Sequence, residues 1–564
     1  MHKPIVVLSF LALIAALAVP TAASAALGEL SLISRADGFA GALGDGNSYT
    51  NERSISADGR YIAFLSYADN LGGPYAAERN VYRRDTLLGR TELVSRANGL
   101  NGAVGDDNSF SAEISADGNR IAFVSAADNL SGADDNTYTN IFVRDMTAGV
   151  TTLASRASGV AGDPANQSSL IPKISGDGNV VGFQSLASNI DPTVTDNNAA
   201  VDTYVRDLTN STTRLVSKST AGVIGNDLTT VGDISFDGNL VTMDSQATTL
   251  GGNVTGASSN VYVRNRSAAT TTLVSQPTGN SNVSGANEAG ASTITDAGDR
   301  IAFVSRSGPL VPDAPLTKYA TYVRDLTNNT TTLVSRAASG ALADTDVFSP
   351  VISSDGSILT FLSAATNLDG ATGGVKQAFV RDLATGQTQL ISRAGRVGAP
   401  ANALISSTTP GRSSRLVLFE ANATNLAPEA NGPVYQLFMR DVKVIDPIPP
   451  VTISGKSFKT KLSKKSFTVK ATTGGGATRI SGKATLRVSK KIVKSGRIVV
   501  KLKPRTVAST LTSHKLRFTL SKKQNRFVLK ALKTKKSRVK LSVELSATGA
   551  GTPGAARFSG KLRR

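Results

Sequence analysis

Between residues 98 and 157 the chain writes four short runs of apolar and small residues, each closed by turn chemistry. Ser109 to Ser115 ends in Ala116-Asp117-Gly118-Asn119, a hairpin turn whose glycine is free to take a positive φ. In Arg120-Ile-Ala-Phe-Val-Ser125, Ile121 and Phe123 point one way while Ala122 and Val124 point the other. Both faces are apolar, so this strand is covered on both sides. Asn140-Ile-Phe-Val-Arg144 and Thr151-Thr-Leu-Ala-Ser155 complete a set of four antiparallel strands. Such a sheet has no wet face and needs a neighbour against each side.

The neighbours are written in the same chain. ISADGNRIAFVSAADNL at 114–130 repeats ISADGRYIAFLSYADNL at 55–71 almost letter for letter. The step that follows each copy recurs as Arg84-Asp85, Arg144-Asp145, Arg206-Asp207, Arg264-Asn265, Arg324-Asp325, Arg381-Asp382 and Arg440-Asp441, giving seven units of about sixty residues. A four-stranded unit at that period, apolar on both faces, predicts a radially packed ring. Two positions before each arginine stands an aromatic residue: Tyr82, Phe142, Tyr204, Tyr262, Tyr322, Phe379 and Phe438. Strand two carries Phe64, Phe123, Phe183, Met243, Phe303, Phe361 and Phe419. Their periodicity makes them core between units rather than a stacking surface for sugars. The fourth-strand signature, as in Leu153-Ala-Ser-Arg156, is missing from the last unit and stands instead near the start of the chain as Leu32-Ile-Ser-Arg35. The expected fold is therefore all-β: a seven-bladed β-propeller closed by the N-terminal strand, which removes open sheet edges, plus a small C-terminal β-sandwich-like domain.

With Ile114-Ser-Ala-Asp-Gly-Asn-Arg-Ile-Ala-Phe-Val-Ser125 followed by Ile141-Phe-Val-Arg-Asp145, the chain resembles the WD40-like PD40 repeats of TolB-type propellers over about residues 27–446. Those repeats are usually written around Ser-Pro-Asp-Gly. Here alanine or another residue replaces the proline, and two enlarged loops lengthen the period. No counterpart of TolB's separate N-terminal domain is read, so its role with lipoprotein partners is not carried over. The resemblance speaks to fold; function is argued from sites.

Charge divides the chain. Residues 1–450 hold 31 Lys+Arg against 41 Asp+Glu, whereas residues 451–564 hold 31 against the single acid Glu544. The expected organisation is a signal peptide over 1–25, with Lys3, an apolar run from Ile5 to Val19 and the cleavage site Ala23-Ser24-Ala25; the propeller over 26–446; a stiff Pro-rich linker over 447–450; and a basic domain over 451–564. That last region alternates apolar and polar residues in strand-like runs over 466–470, 484–488, 497–503 and 538–545, with a short helix expected over 521–532. It resembles the small Lys-rich, Ig-like β-sandwich domains at the C-termini of secreted actinobacterial proteins. The expected location is outside the cytoplasm, secreted or at the cell envelope, without a transmembrane anchor. The expected partner of Lys461, Lys464, Lys465, Lys490, Lys491, Lys494, Lys535, Lys536 and Arg538 is an envelope polyanion, either a cell-wall polymer or an anionic lipid surface. Export and the absence of Trp and Tyr from this tail disfavour nucleic acid.

The chain has no cysteine and its two histidines are His2 and His514. Thiol chemistry, Cys-ligated metal and a His-dependent triad on the repeats are excluded, and no Gly-x-Ser-x-Gly or Walker-type loop is present. The Arg-Asp step, repeated around a ring, is expected to be a structural turn or inter-blade ion pair. The long loops between strands two and three gather on one rim and are the expected binding surface for a protein or glycan. Their candidate residues are Asp134, Asp135, Asn136, Asp191, Asp196 and Asp202. Clustered oxygen ligands of this kind also suit Ca²⁺, but no copy has the spacing of a known calcium loop, and no cofactor is expected. The expectation is a non-catalytic exported binding scaffold. The alternative is an extracellular propeller enzyme acting on polysaccharide through carboxylates, for which the sequence offers no evident non-repeating acidic pair.

Overall fold

The structure is a computed structural model. It describes residues 30–442 except 73–77, 135–136, 255–257, 280–281, 285–287, 307–309, 316, 370–373, 396–397, 413–414 and 431, together with the backbone of eight strands between Thr452 and Arg563. Seven four-stranded antiparallel sheets follow one another along the chain. In blade 2 the strands, counted outward from the centre, are Ser109–Ile114, Arg120–Ser125, Asn140–Asp145 and Val150–Leu153. Strand two of each of blades 1 to 6 contacts the innermost strand of the next blade, and the innermost strand of blade 1 contacts the third strand of blade 7. The seventh sheet takes Ile405–Pro410, Leu416–Ala421 and Gln436–Asp441 from the end of the repeat region and Leu30–Leu32 from its start. Leu30 pairs with Arg440 and Leu32 with Phe438. The ring closes as the displaced Leu-Ile-Ser-Arg signature predicts.

Each strand-two aromatic is the direct cross-strand partner of the strand-three aromatic: Phe64 lies opposite Tyr82 and Phe123 opposite Phe142. The rings stack at 5.6 and 5.8 Å between centroids, inside the 4.5–7 Å range of favourable aromatic pairs. The core lies between blades. Ala63, Leu65 and Val81 of blade 1 pack on Ala112, Ile114, Ile121 and Phe123 of blade 2. The fourth strand stops at Leu153, two residues short of the expected Ser155, because Ser155 serves as a side chain. Its hydroxyl donates to Asn140 Oδ1 at 2.6 Å and accepts from the Ile141 N–H at 3.0 Å.

The Arg-Asp step is structural, in a form other than an inter-blade ion pair. Arg84 donates to the Ala36 and Gly38 carbonyls at 2.9 and 2.7 Å, gripping the loop that leaves the preceding blade. Arg144 does the same to Ala97 and Gly99. Asp85 accepts the Leu87 and Leu88 N–H groups of its own hairpin. Burial lowers the Arg84 guanidinium to about 10, a cost met by these carbonyl bonds. At the seam, where the two ends of the propeller segment stand in place of the hairpin that joins strands three and four elsewhere, a cavity of about 660 Å³ opens between Leu30, Phe39, Leu87, Leu416 and Met439.

Beyond residue 451 the strands form a three-stranded sheet and a five-stranded sheet. The runs predicted at 466–470, 484–488, 497–503 and 538–545 fall on Ser466–Gly474, Ala477–Val488, Gly496–Thr506 and Val539–Gly549. The signal peptide, the linker and the helix expected over 521–532 lie outside the described residues. Among the described residues no helix is long and apolar enough to cross a membrane.

Candidate functional site: the loop-side mouth of the propeller channel

The innermost strands all run the same way, from the end that carries the long loops to the end that carries the tight hairpin turns. An inner strand leaves one row of backbone groups without a partner strand. The residue preceding the repeated isoleucine supplies partners for it. Glu113 accepts the Ile174 N–H at 3.2 Å, Asp233 accepts that of Ile294 at 2.9 Å, and the Thr293 hydroxyl accepts that of Ile352 at 3.1 Å. Around the ring this position reads Ser54, Glu113, Lys173, Asp233, Thr293, Val351 and Thr409. It is a non-repeating place in an otherwise repeated motif.

Those charges meet at the centre. Arg53, with φ 53° in the left-handed region, sends its guanidinium across to Asp233 Oδ2 at 2.7 Å, to Ser354 Oγ at 2.7 Å and to the Ile294 carbonyl. Lys173 Nζ lies 2.6 Å from Glu52 and 3.0 Å from Glu113, and Arg412 pairs with Asp296 at 2.5 Å. Arg53, Asp233 and Glu113 are 3%, 1% and 1% exposed, so these pairs plug the channel and exclude water. Burial disfavours the Lys173 ammonium, but Glu113 and Glu52 outweigh it and the ammonium is held charged. Burial likewise pushes Asp233 up, and Arg53 and Lys173 more than reverse it, leaving the carboxyl below its ordinary range. For Glu113 burial dominates and its pKa rises, against the pull of Lys173.

Toward the loop side a second irregular position appears. The fifth residue of strand two is Leu65, Val124, Gln184, Asp244, Val304, Leu362 and Glu420. Two blades place an acid where the others keep an apolar or amide group. Asp244 accepts from Ser292 Oγ at 2.6 Å, and burial pushes its pKa up to about 6. Glu420 accepts from Ser406 Oγ at 2.6 Å and from the Thr50 N–H, and burial raises its pKa as well. These are two non-repeating acids, on blades 4 and 7, that reading the sequence blade by blade does not show. Setting the seven copies of strand two in register exposes them.

One sector of the rim of this mouth is aromatic. The second inner-strand position reads Tyr49, Phe110, Leu170, Thr230, Gly290, Phe348 and Ser406. Phe110 is 42% exposed and Tyr67, just after strand two of blade 1, is 37% exposed. Tyr49 stacks on Tyr435 at 6.2 Å and meets the edge of Tyr67 at 6.3 Å. The Arg79 guanidinium lies 5.0, 5.5 and 5.9 Å from the centroids of Phe110, Tyr67 and Tyr49. The exposed stacking surface is therefore made by aromatics outside the repeat, while the repeated ones are buried.

The predicted loop residues sit on the same rim but face inward. Asp191 accepts the Thr193 hydroxyl and the Leu215 N–H, and Asp202 accepts Ser217 Oγ and Asn198 Nδ2. Both are buried, and burial pushes Asp202 up to about 6. Asp196 accepts the Tyr204 hydroxyl and Asp134 accepts Asn140 Nδ2. Asp191 and Asp202 tie their loop to strands three and four and do not present to a partner; Asx-type loops use carboxylates this way. Asp135 and Asn136 lie outside the described residues. Among the described residues no group of three or more carboxylate, His or Cys side chains is arranged to hold a metal ion. Of the nine predicted polyanion contacts, Lys461 ends the strand Phe458–Lys461; Lys464, Lys465, Lys490, Lys491, Lys494, Lys535, Lys536 and Arg538 lie outside the described residues.

No family model matches the chain, and no curated protein matches it. Solved structures similar to it include propellers. A TolB-type structure from Agrobacterium tumefaciens is 14% identical over 51% of this chain and 80% of its own, with a TM-score of 0.30. A structure from a study of two prolyl endopeptidases is 13% identical over 76% and 54%, with a TM-score of 0.41. A GH74 xyloglucanase from Xanthomonas campestris is 9% identical over 70% and 51%, with a TM-score of 0.34. The chain thus spans about half the length of these two enzymes. The expectation of a chain without catalysis is corrected here. Solved structures similar to it include enzymes.

Proposed function

We propose that this chain is an exported β-propeller scaffold that binds a glycan at the loop-side mouth of its channel and is held at the cell envelope by its polycationic C-terminal residues. The supporting observation is the aromatic rim of half-buried Tyr49 and exposed Tyr67 and Phe110 beside the hydrogen-bonding acid Glu420, in a mouth whose floor is sealed by ion pairs. Flat exposed rings next to fixed polar groups suit the apolar face and hydroxyls of a sugar. The excess of 31 cations over one acid in 451–564 supports an electrostatic tether to a cell-wall polymer or anionic lipid surface.

The test is co-sedimentation of the chain with purified envelope at low and high salt, beside Phe110→Ala and a chain stopped at Asp446. A tether weakens steeply as salt rises and is lost on truncation; glycan capture at the mouth survives salt and is lost in Phe110→Ala. Loss of neither on either change overturns the reading, and capture of protein alone assigns the rim to a protein partner instead.

A second reading rests on the same mouth. Half-buried Asp244 and buried Glu420, on blades 4 and 7, are carboxyls whose pKa values burial raises, and glycoside hydrolysis through carboxylates needs one that holds its proton. Release of reducing ends from envelope glycans, abolished by Asp244→Asn or Glu420→Gln, makes the propeller an enzyme on that polysaccharide.

A further inference from the structure

We infer that the loop-side mouth carries a subsite for an acidic sugar residue, whose carboxylate is received by Arg79 and whose ring lies against Phe110 and Tyr67. The inference rests on the proposed glycan reading of this mouth and adds the charge of the ligand.

Arg79 is placed by its backbone and one nitrogen. Its N–H donates to Asn108 Oδ1 at 2.9 Å, its carbonyl accepts the Ser109 N–H at 2.7 Å, and its Nε donates to the Ser109 carbonyl at 2.8 Å. That leaves both terminal amino groups without a protein acceptor among the described residues. Elsewhere on the propeller the guanidinium groups are engaged: Arg53 with Asp233, Arg60 with Asp85, Arg83 with Glu92, Arg415 with Asp441. The nearest acid in sequence, Glu78, is turned to Asn108 Nδ2 at 2.5 Å.

The surrounding rings do not use up the group. Cation–π contact engages the faces of a guanidinium, whereas a carboxylate is received along its edge through two parallel N–H bonds. The rings of Phe110, Tyr67 and Tyr49 surround the Arg79 guanidinium carbon at 5.0, 5.5 and 5.9 Å, and its two terminal amino groups are left for a ligand. An exposed aromatic face beside these amino groups matches a pyranose carrying a carboxylate: carbon-bound hydrogens on the ring, the acid on the fork. A neutral sugar leaves the fork unsatisfied.

The experiment is isothermal titration of the full chain with short oligogalacturonates, their methyl esters and neutral cello-oligosaccharides, at fixed salt. Arg79→Gln, Arg79→Lys and Phe110→Ala are compared, each with its unfolding curve. We expect the acidic oligomer to bind at a site weakened at least about tenfold by Arg79→Gln, less by Arg79→Lys, and weakened also by Phe110→Ala. The methyl ester should bind alike to wild type and Arg79→Gln. Acidic binding unchanged in Arg79→Gln assigns it to the basic tail and overturns the inference. If neutral oligomers bind as well as acidic ones and depend on Phe110, the acidic subsite is overturned and the glycan reading stands. If no oligomer responds to either substitution, both fall.

Discussion

The two mouths of the channel are built on opposite principles. On the turn side the hairpins between strands one and two are linked backbone to backbone: Ala57 N–H to the Ala116 carbonyl at 2.8 Å, Ala116 to Gly176 at 2.8 Å, Phe236 to Asp296 at 3.0 Å and Asp296 to Ser354 at 2.9 Å. Such a ring is held by its backbone, and the residues in it run from glycine to phenylalanine. On the loop side the backbone is spaced by long connections and the surface is made by particular side chains: Tyr49, Tyr67 and Phe110. Between the two lies the ion-pair plug. The repeat builds the ring; departures from the repeat give each side of it a character.

The plug is where that comparison breaks most easily. Asp233→Ala leaves the Arg53 guanidinium buried without its carboxylate, and removing one partner of a buried pair costs about 3–5 kcal/mol. Denaturant unfolding should show that loss. The double change Arg53→Met with Asp233→Leu should recover much of it, since apolar replacement of a buried pair is often near neutral. A loss of less than about 1 kcal/mol, the worth of a surface pair, would mean that the floor of the mouth is held by the backbone ring alone.

How far these regions could be read from the sequence follows from the same division. The period, the stacked Phe-Tyr layer, the four strands of a blade and the closing Leu32-Ile-Ser-Arg35 are legible because each is written many times. Even Asp69-Asn70 of the repeat has a mechanical meaning: Asp69 N–H donates to Asp45 Oδ1 and Asn70 Nδ2 donates to the Leu43 carbonyl, locking two loops of one blade. The site was not legible in the same way. Asp191 and Asp202 look like free loop acids because polarity in a loop does not tell a ligand from a carboxylate that satisfies backbone and hydroxyl donors. Asp244 and Glu420 escape notice because each occurs once, in a strand position that is otherwise apolar or amide. Arg53 meets Asp233 across 180 residues, a separation that no local pattern announces.

Titration sharpens the contrast at intermediate size. Burial raises Asp244 from 3.8 to about 6, so between those values the folded chain binds a proton that the unfolded chain has released. Stability from this group is therefore greatest below pH 4 and falls as pH rises toward 6. Asp244→Asn should stabilise the ring by about 1–3 kcal/mol at pH 7 and leave it unchanged at pH 3.5, measured as unfolding midpoints across the window. Asp85 runs the other way. Burial raises its pKa, but Arg60 and the Leu87 and Leu88 N–H groups more than offset that and hold it low. Its contribution is present above the ordinary carboxylate range and is lost as pH falls. If Asp244→Asn destabilises at pH 7, the carboxylate is an anchor for Ser292 and not a strained group kept for a ligand.

The smallest expected effect is the one that separates rim from ring. Phe110 and Phe123 sit on neighbouring strands of one blade, yet Phe110 is 42% exposed and Phe123 is fully buried. A surface substitution away from caps, cavities and buried charge stays within about 0.5 kcal/mol, so Phe110→Ala should leave the unfolding midpoint almost where it was. Its ring contributes one wall around Arg79 at 5.0 Å, and exposed cation–π contacts are worth only about 0.5–1 kcal/mol. The same substitution should remove glycan capture at the mouth. A residue that costs little to fold and much to bind is one that the ring does not need. Should Phe110→Ala lower stability by as much as a core truncation, about 3–5 kcal/mol, Phe110 belongs to the packing of blades 1 and 2 and the aromatic rim is an extension of the core.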